Sequence, residues 1–149
     1  MASPAVEYRR DTATEQDVLA HLAHCDADFT PPLSARLDLA AYAAKLAARA
    51  ARFEAWDGPE LAGLVAAYIA PGSHEAFISN VSVVRELRGG GVAAVLVGHC
   101  IEHARAAGAA TLKLEVATAD KAAGRFYEKL GFRDTGPSDR RTTTLTLEL

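Results

Sequence analysis

"RELRGGGVAA", residues 85–94, places three consecutive glycines between a strand-like run and a helix-like run. The run before it, residues 75–84, is rich in β-branched residues, and Val92, Val95 and Leu96 after the glycines recur at helical spacing. Backbone N–H groups at a helix start bind anions, and glycine allows both close ligand approach and positive φ. The stretch therefore predicts an anion-binding loop; the alternative is a tight turn that merely tolerates glycine.

Two common phosphate-binding loops do not match this stretch. The motif GxxxxGK(S/T) needs a lysine and a hydroxyl, but Val-Ala-Ala, residues 92–94, follows the glycines. The dinucleotide fingerprint GxGxxG also fails, because the run reads G-G-G-V-A-A and follows a meander of strands instead of opening a β-α-β unit. We therefore expect neither of these nucleotide sites.

The rest of the chain alternates between strand and helix patterns and shows no repeat or linker. The predicted elements are a strand at 6–10, helices over 11–23 and from Leu39 to about Arg52, strands within 52–56, 61–70 and 75–84, a helix from Val92 to about Ala107, a strand at 111–118, a helix at 120–130 and a strand at 141–149. This pattern predicts an α/β (α+β) protein with a mixed sheet of six or seven strands and helices on both faces.

Composition restricts the class of protein. The 149 residues, half of them hydrophobic, suffice for one domain spanning 1–149. The net charge of −3 and the pI near 5.9 give no general attraction to nucleic acid or to an anionic membrane, so neither partner is expected. No apolar run is long enough to cross a bilayer, and "MASPAVEYRR" lacks an apolar signal core. We expect a cytoplasmic protein.

Cysteine and histidine usage gives no sign of a metal site or a disulfide. Cys25 and Cys100 lie in different helix-like segments and are expected to be buried or idle thiols. His99 and His103 are four residues apart, but no carboxylate stands at the spacing of HExxH. We expect the histidines to lie on the surface or to line a groove: His21, His24, His74, His99 and His103.

Two motifs resemble those of the Gcn5-related N-acetyltransferase (GNAT) superfamily. Residues 88–93, "RGGGVA", resemble the signature Q/R-x-x-G-x-G/A, whose amides hold the pyrophosphate of acetyl-CoA in that family. Residues 120–132 look like the segment "NxxAxxFYEKLGF", so the resemblance covers roughly residues 75–136. The chain departs from the family pattern twice. Arg85 stands where a proline is usual, and Asp120 replaces an asparagine, so its side chain accepts hydrogen bonds but does not donate them.

The resemblance implies a GNAT-like fold with a mixed, mostly antiparallel central sheet of six to seven strands and about four flanking helices. It implies acetyl-CoA as co-substrate, an amine as acceptor and no metal; homodimers are common in the family. The family's cofactor contacts map onto this chain as Val81, Ser82, Val83, Arg88, Gly89, Gly90, Gly91, Val92, Ala93, Ala94, Asp120 and Tyr127.

The resemblance also assigns catalytic roles. Tyr127 matches the family's proton donor to the leaving thiolate. Backbone amides at Ser79, Val81 or Val83, chiefly within 81–83, would stabilise the oxyanion. Two carboxylates compete as the base that accepts the amine proton, Glu115 and Glu75; Glu115 is slightly preferred, Glu115 could instead pair with Lys113, and a chain of waters is the alternative to either base.

The acceptor is expected against residues 25–50, since in this fold the first two helices and their loop form one wall of the substrate cleft. Charged residues there could attract an ammonium (Asp26, Asp28, Asp38) or hold a phosphate or carboxylate (Arg36, Lys45, Arg49, Arg52), or could simply be solvated. The preferred function is acetylation of a small-molecule primary amine by direct attack in a ternary complex. The alternatives are acetylation of a protein N-terminus or lysine, and a regulatory CoA-binding module without turnover.

Overall fold

The structure is a computed structural model that describes residues 6–29 and 31–149. The first five residues of the N-terminal stretch judged above to lack a signal core lie outside the described residues. Within them the order is β1 (Val6–Arg10), α1 (Glu15–Cys25), α2 (Leu39–Arg49), β2 (Ala51–Asp57), β3 (Glu60–Tyr68), β4 (Glu75–Val83), α3 (Val92–Ala106), β5 (Thr111–Ala117), α4 (Lys121–Lys129), β6 (Arg133–Pro137) and β7 (Thr142–Glu148).

The strands form one seven-stranded sheet in the order β1-β2-β3-β4-β5-β7-β6. Strands β4 and β5 run parallel and pair through Glu75–Phe77 and Thr111–Lys113. The pairs β1–β2, β2–β3, β5–β7 and β6–β7 are antiparallel. The predicted mixed, mostly antiparallel sheet with four flanking helices is confirmed. None of the helices in the described ranges is both long and apolar enough to cross a membrane.

Local sequence signals explain where the helices begin. Thr14 and Asp17 form a reciprocal capping box at α1, in which each side chain accepts from the other residue's backbone N–H. The Asp38 side chain caps α2 by accepting from the amides of Ala40 and Ala41. Helix starts are thus specified by short side chains that accept from otherwise unpaired amides.

Three sequence predictions about element boundaries were wrong. Helix α2 ends at Arg49 because Ala50 is extended, which places Arg52 in β2 and not on a helix face. Strand β6 was missed, since "RDTGP" carries turn residues and is extended through its pairing with β7. The glycines do not follow β4 directly, because a 3₁₀ turn, Arg85–Leu87, lies between them.

The described residues form two compact units. The first comprises those up to Ala67 together with Asn80–Cys100, and the second comprises Tyr68–Ser79 and Ile101–Leu149. The prediction of a single domain over 1–149 stays a prediction. Fully buried side chains of the first unit include Leu22, Leu46, Leu64, Leu96 and Val97, and the second unit buries Leu112, Leu114, Phe132 and Leu145.

A glycine in β3 determines how closely α3 packs in the first unit. A Cβ built on Gly63 would lie 3.1 Å from Leu96 Cδ1 and 3.2 Å from Val92 Cγ1. These distances are tighter than ordinary van der Waals contact, so the two side chains of α3 would have to shift by a few tenths of an ångström to admit a Cβ. The absence of a Cβ at Gly63 therefore lets Val92 and Leu96 of α3 pack closely against β3.

Candidate active site

The glycine run forms a loop whose backbone conformation requires glycine at two positions. We call residues 88–94 the glycine loop. Gly89 has φ of 86° and Gly91 has φ of 82°, both in the left-handed region that side chains with a Cβ rarely adopt. A Cβ at either position would meet nothing within 4 Å. The conformation of the loop, and not crowding by the protein, therefore requires glycine there.

The loop presents a row of unengaged amides. Within the described residues, the N–H groups of residues 89–94 make no close, well-aligned hydrogen bond to a backbone carbonyl, and the helical pattern begins when Val95 N donates to Gly91 O at 3.1 Å. Donors at the start of the 15-residue helix α3 lie at the positive end of its dipole. Such a row fits an anion with several oxygens, such as a pyrophosphate.

One carboxylate is shared by Arg88, the first residue of the glycine loop, and by Arg85, which precedes the loop. Arg85 Nη2 donates to Asp28 Oδ1 at 2.7 Å, and Arg88 Nη2 donates to Asp28 Oδ2 at 2.9 Å. Arg88 Nε also donates to Val83 O at 3.1 Å. The hydrogen bond from Arg85 and the charge of Arg88 hold the pKa of Asp28 below its usual value. Asp28 is therefore engaged by cations of the protein itself.

The side chain of Ser82 in β4 belongs to a buried hydrogen-bonded group. Its Oγ lies 2.8 Å from His21 Nε2 and donates to Asn80 Oδ1 at 2.8 Å. The other ring nitrogen, His21 Nδ1, lies 3.0 Å from Leu61 O. The prediction of surface or groove-lining histidines was wrong for His21, which is 2% exposed, because both ring nitrogens have partners in the interior. Burial lowers the pKa of His21 to about 4.

The second unit holds the predicted acid. Tyr127 in α4 is buried, and its ring makes edge contacts with Phe126 and Phe132 at centroid distances of 5.0 and 5.7 Å. Burial, and to a lesser degree the carboxylate of Asp120, raises the pKa of Tyr127. The phenol is therefore protonated across the physiological pH range.

Asp120, which replaces the asparagine usual in the family, caps α4. Its Oδ1 accepts from Ala123 N at 3.0 Å, a hydrogen bond that the side-chain oxygen of an asparagine could also accept. The replacement therefore preserves the start of α4 and loses only a side-chain donor at this position.

The two candidate bases differ in their surroundings. Glu75 Oε1 accepts from Lys113 Nζ at 2.5 Å, and both residues belong to the second unit. Glu115 is exposed on β5, where it stands opposite Thr144 of β7. Lys113 was considered above as a partner for Glu115, but it pairs with Glu75. In the β4–β5 register Lys113 stands opposite Phe77, two residues from Glu75, so the two side chains are diagonal neighbours on one face of the sheet.

Several charged residues of the predicted acceptor wall already have structural partners. Asp26 accepts from Ser34 N at 2.8 Å and from Ser34 Oγ at 2.6 Å, while Asp38 caps α2. Arg52 is buried and donates to four backbone carbonyls: those of Leu46, Ala47, Ala50 and Ala13. Arg36 and Arg49 are exposed. Arg52 is thus a structural residue of the first unit.

Sequence reasoning missed a buried carboxylate. Glu54 is completely buried and accepts from Thr12 Oγ1 at 2.5 Å, from Ala13 N at 2.9 Å and from Trp56 Nε1 at 3.1 Å. Arg52 Nε lies 3.8 Å from it. A single glutamate in a strand gives no sequence signal, because the partners at Thr12 and Ala13 lie 42 and 41 residues earlier in the chain.

Both cysteines are free and buried, as predicted, and burial raises the pKa of Cys25 to about 11 and of Cys100 to about 12. Within the ranges that the structure describes, no three His, Cys, Asp or Glu side chains are grouped to hold a metal ion. A cavity of about 210 Å³ in the second unit is lined by residues that include Asp120, Arg125 and Leu145, but Tyr127 does not line it.

The sequence matches the model of the acetyltransferase (GNAT) family over residues 17–132, well over half of the chain. The fold is that of the acetyl-CoA-dependent acyltransferases of this class, and the chain belongs to the GNAT acetyltransferase family. A search of curated protein sequences found no significant match.

Solved structures with this fold include enzymes named for different acceptors. The ribosomal-protein-S18-alanine N-acetyltransferase of Escherichia coli is 21% identical, with a TM-score of 0.75 over 97% of this chain and 94% of that chain. An acetyltransferase from Bacillus subtilis in complex with CoA is 20% identical, with a TM-score of 0.70 over 97% and 99%. Nourseothricin acetyltransferase is 26% identical, with a TM-score of 0.59 over 66% and 65%.

Proposed function

We propose that this protein transfers the acetyl group of acetyl-CoA to a primary amine of a small molecule, by direct attack in a ternary complex. The observation that carries the proposal is the row of unengaged amides at residues 89–94, with positive φ at Gly89 and Gly91. These donors suit the pyrophosphate of CoA, and family membership supports acetyl-CoA as the donor.

The reaction requires a neutral amine, although an alkyl amine with a pKa near 10.4 is neutral in roughly one molecule in two to three thousand at pH 7. The amine nitrogen attacks the thioester carbonyl carbon, so a C–N bond forms, the C–S bond breaks and one amine proton leaves. Backbone amides within 81–83 are proposed to stabilise the oxyanion. Tyr127, which burial keeps protonated, is proposed to donate its hydrogen to the leaving sulfur as negative charge develops there.

Glu115 is the base we propose for the amine proton, either directly or through water. Glu75 is already engaged in an ion pair with Lys113, so one of its oxygens is occupied. Glu115 is exposed on β5 and has no such cation bonded to it among the described residues. A chain of waters without a protein base is the alternative. The pH dependence of kcat/KM in Glu115→Gln and in Glu75→Gln separates these cases.

Acetylation of a protein N-terminus is the second candidate function. It is favoured by the likeness in fold to the S18-alanine enzyme, whereas the partial likeness to nourseothricin acetyltransferase favours a small acceptor. An enzyme that acetylates a protein N-terminus must bind the peptide backbone beside the reacting amine. An enzyme for a small amine has no such backbone to bind. The acceptor is therefore decided by comparing kcat/KM for small amines with that for short peptides.

The first experiment is calorimetric titration of the purified protein with acetyl-CoA, followed by assays of CoA thiol release with panels of small amines and N-terminal peptides. Micromolar binding and turnover with a small amine would support the proposal. Binding with turnover on peptides alone would support the second candidate. Binding without turnover on any amine would indicate a CoA-binding module, and the absence of binding would refute the proposed function.

A further inference from the structure

We propose that Asp28 is a positioning residue for the glycine loop, which it orders for acetyl-CoA through Arg85 and Arg88; this inference rests on the proposed function. Asp28 lies in a 3₁₀ turn, Asp26–Asp28, directly after α1. The two arginines lie 57 and 60 residues further along the chain. The contact therefore joins the end of α1 to the loop.

The geometry of the carboxylate suits a bridge. Each oxygen of Asp28 accepts from a different guanidinium, and the side chain is only 14% exposed. The 3₁₀ turn Arg85–Leu87 is therefore held at Arg85 within it and at Arg88 directly after it. Arg88 also donates to Val83 O, so the first residue of the loop is tied to the end of β4. Asp28 thus connects the end of α1 to the turn and to the loop, and Arg88 connects the loop to β4.

Holding the first residue of the glycine loop in place should favour ligand binding by this loop. Three glycines follow Arg88, and glycine has the greatest backbone freedom to lose when a ligand orders it. The family's usual proline would restrict the turn at position 85, whereas this chain has an arginine that is held by Asp28. The ion pair therefore supplies by contact the rigidity that a proline ring would supply covalently.

Two physical effects of Asp28 oppose each other and can be separated. The carboxylate orders the arginines and the loop, which favours acetyl-CoA binding. Its negative charge also lies beside an anion site, which disfavours phosphate binding. Replacement by asparagine removes the charge and weakens the bridge, so weaker acetyl-CoA binding indicates positioning and tighter binding indicates simple charge neutralisation. We infer that positioning is the larger effect.

The test compares Asp28→Asn and Asp28→Glu with Asp26→Asn as the matched control. Asp26 lies in the same 3₁₀ turn, but its carboxylate accepts from Ser34 and not from the arginines. We expect Asp28→Asn to raise the Kd for acetyl-CoA roughly three- to tenfold, with kcat at saturating acetyl-CoA changed less than about twofold. Asp28→Glu should recover part of the loss, and Asp26→Asn should leave the Kd unchanged.

A second variant and a second measurement keep the inference testable if Asp28→Asn folds poorly. Arg85→Gln changes a side chain that is 76% exposed and should raise the Kd about twofold. In the free protein, ¹⁵N relaxation should show greater motion of the amides of residues 89–91 in Asp28→Asn but not in Asp26→Asn. Unchanged amide motion, or an equal or lower Kd, would overturn the inference. If the wild-type protein does not bind acetyl-CoA, the proposed function fails, and the relaxation data alone decide whether Asp28 orders the loop.

Discussion

His21 Nε2 lies 2.8 Å from Ser82 Oγ, which links α1 to the buried face of β4 within the first unit. A carbonyl oxygen only accepts, so His21 Nδ1 carries the proton that it donates to Leu61 O. Since burial lowers the pKa of His21 to about 4, the ring is neutral at pH 7 and Nε2 carries no proton. Nε2 and Asn80 Oδ1, each 2.8 Å from Ser82 Oγ, therefore share the single hydrogen of that hydroxyl. The hydrogen bonds of β4 at this point therefore depend on a histidine that must stay neutral.

This buried ring predicts a loss of stability in mild acid. Between pH 6.5 and about 4 the unfolded chain binds a proton at His21 and the folded chain does not, so the free energy of unfolding falls as the pH is lowered through that window. The full loss from this group is about 3 kcal/mol. Urea unfolding at pH 7.5, 5.5 and 4.5 measures it. The decrease in the free energy of unfolding with falling pH should be smaller in His21→Asn. It should be unchanged in His24→Asn, whose ring is exposed on the same helix. The same slope in wild type and His21→Asn would contradict the assignment.

Tyr127→Phe should lower kcat by one to several orders of magnitude and leave the Kd for acetyl-CoA nearly unchanged. The substitution removes only the hydroxyl, so the edge contacts of the ring with Phe126 and Phe132 are retained and the fold should be unaffected. Steady-state thiol release and calorimetry measure the two quantities. Tyr8→Phe, at an exposed tyrosine of β1, is the control and should keep wild-type turnover. Wild-type turnover in Tyr127→Phe would remove the phenol from the chemistry.

The two candidate bases should respond differently to neutralisation. Glu115→Gln should lower kcat/KM by roughly 10²-fold or more, chiefly below the pKa of the acceptor amine, because the proton acceptor is lost. Glu75→Gln should change kcat/KM little, because the carboxylate is held in an exposed ion pair with Lys113. Rates measured from pH 6 to 10 compare the variants. Equal, small effects of both substitutions would support a chain of waters, and a larger effect of Glu75→Gln would reverse the assignment.

Features encoded by short-range patterns were predictable from the sequence, and features created by pairing of distant residues were not. The helix start at α4 and the glycine loop follow from residues within a few positions of each other. Strand β6 is extended only because it pairs with β7, so its own residues indicate a turn. The same reason explains Arg52, whose spacing continues the pattern of α2 but which is extended in β2 and pairs with Ala66 of β3.

The candidate site shows the same division. Tyr127 and the glycines were predicted from local motifs. The side chains that contact Arg88 and Ser82 come from distant segments of the chain. Asp28 reaches Arg88 across 60 residues and His21 reaches Ser82 across 61, and neither separation leaves a periodic signal in one sequence. An acidic residue in a loop and a histidine in a helix are individually uninformative, so only the fold reveals their contacts.

Gly91→Ala tests the glycine loop, and Gly72→Ala is its matched control. Both glycines have positive φ, 82° and 78°, and a Cβ at either would meet nothing within 4 Å, so alanine imposes the same backbone strain of about 1–2 kcal/mol. Both variants should therefore lose similar stability in urea unfolding. Only Gly91→Ala should also weaken acetyl-CoA binding, by roughly tenfold or more, because displaced loop amides lose hydrogen bonds to a charged group.

Calorimetric titration of both variants separates strain from ligand binding. A change in Kd that is common to both would mean that general destabilisation causes the loss. A wild-type Kd in Gly91→Ala, with the expected loss of stability present, would show that the strained loop is structural and that acetyl-CoA does not use its amides. Since Gly72 lies in the turn before β4 and outside residues 88–94, a Kd raised only in Gly91→Ala assigns the anion site to the glycine loop itself.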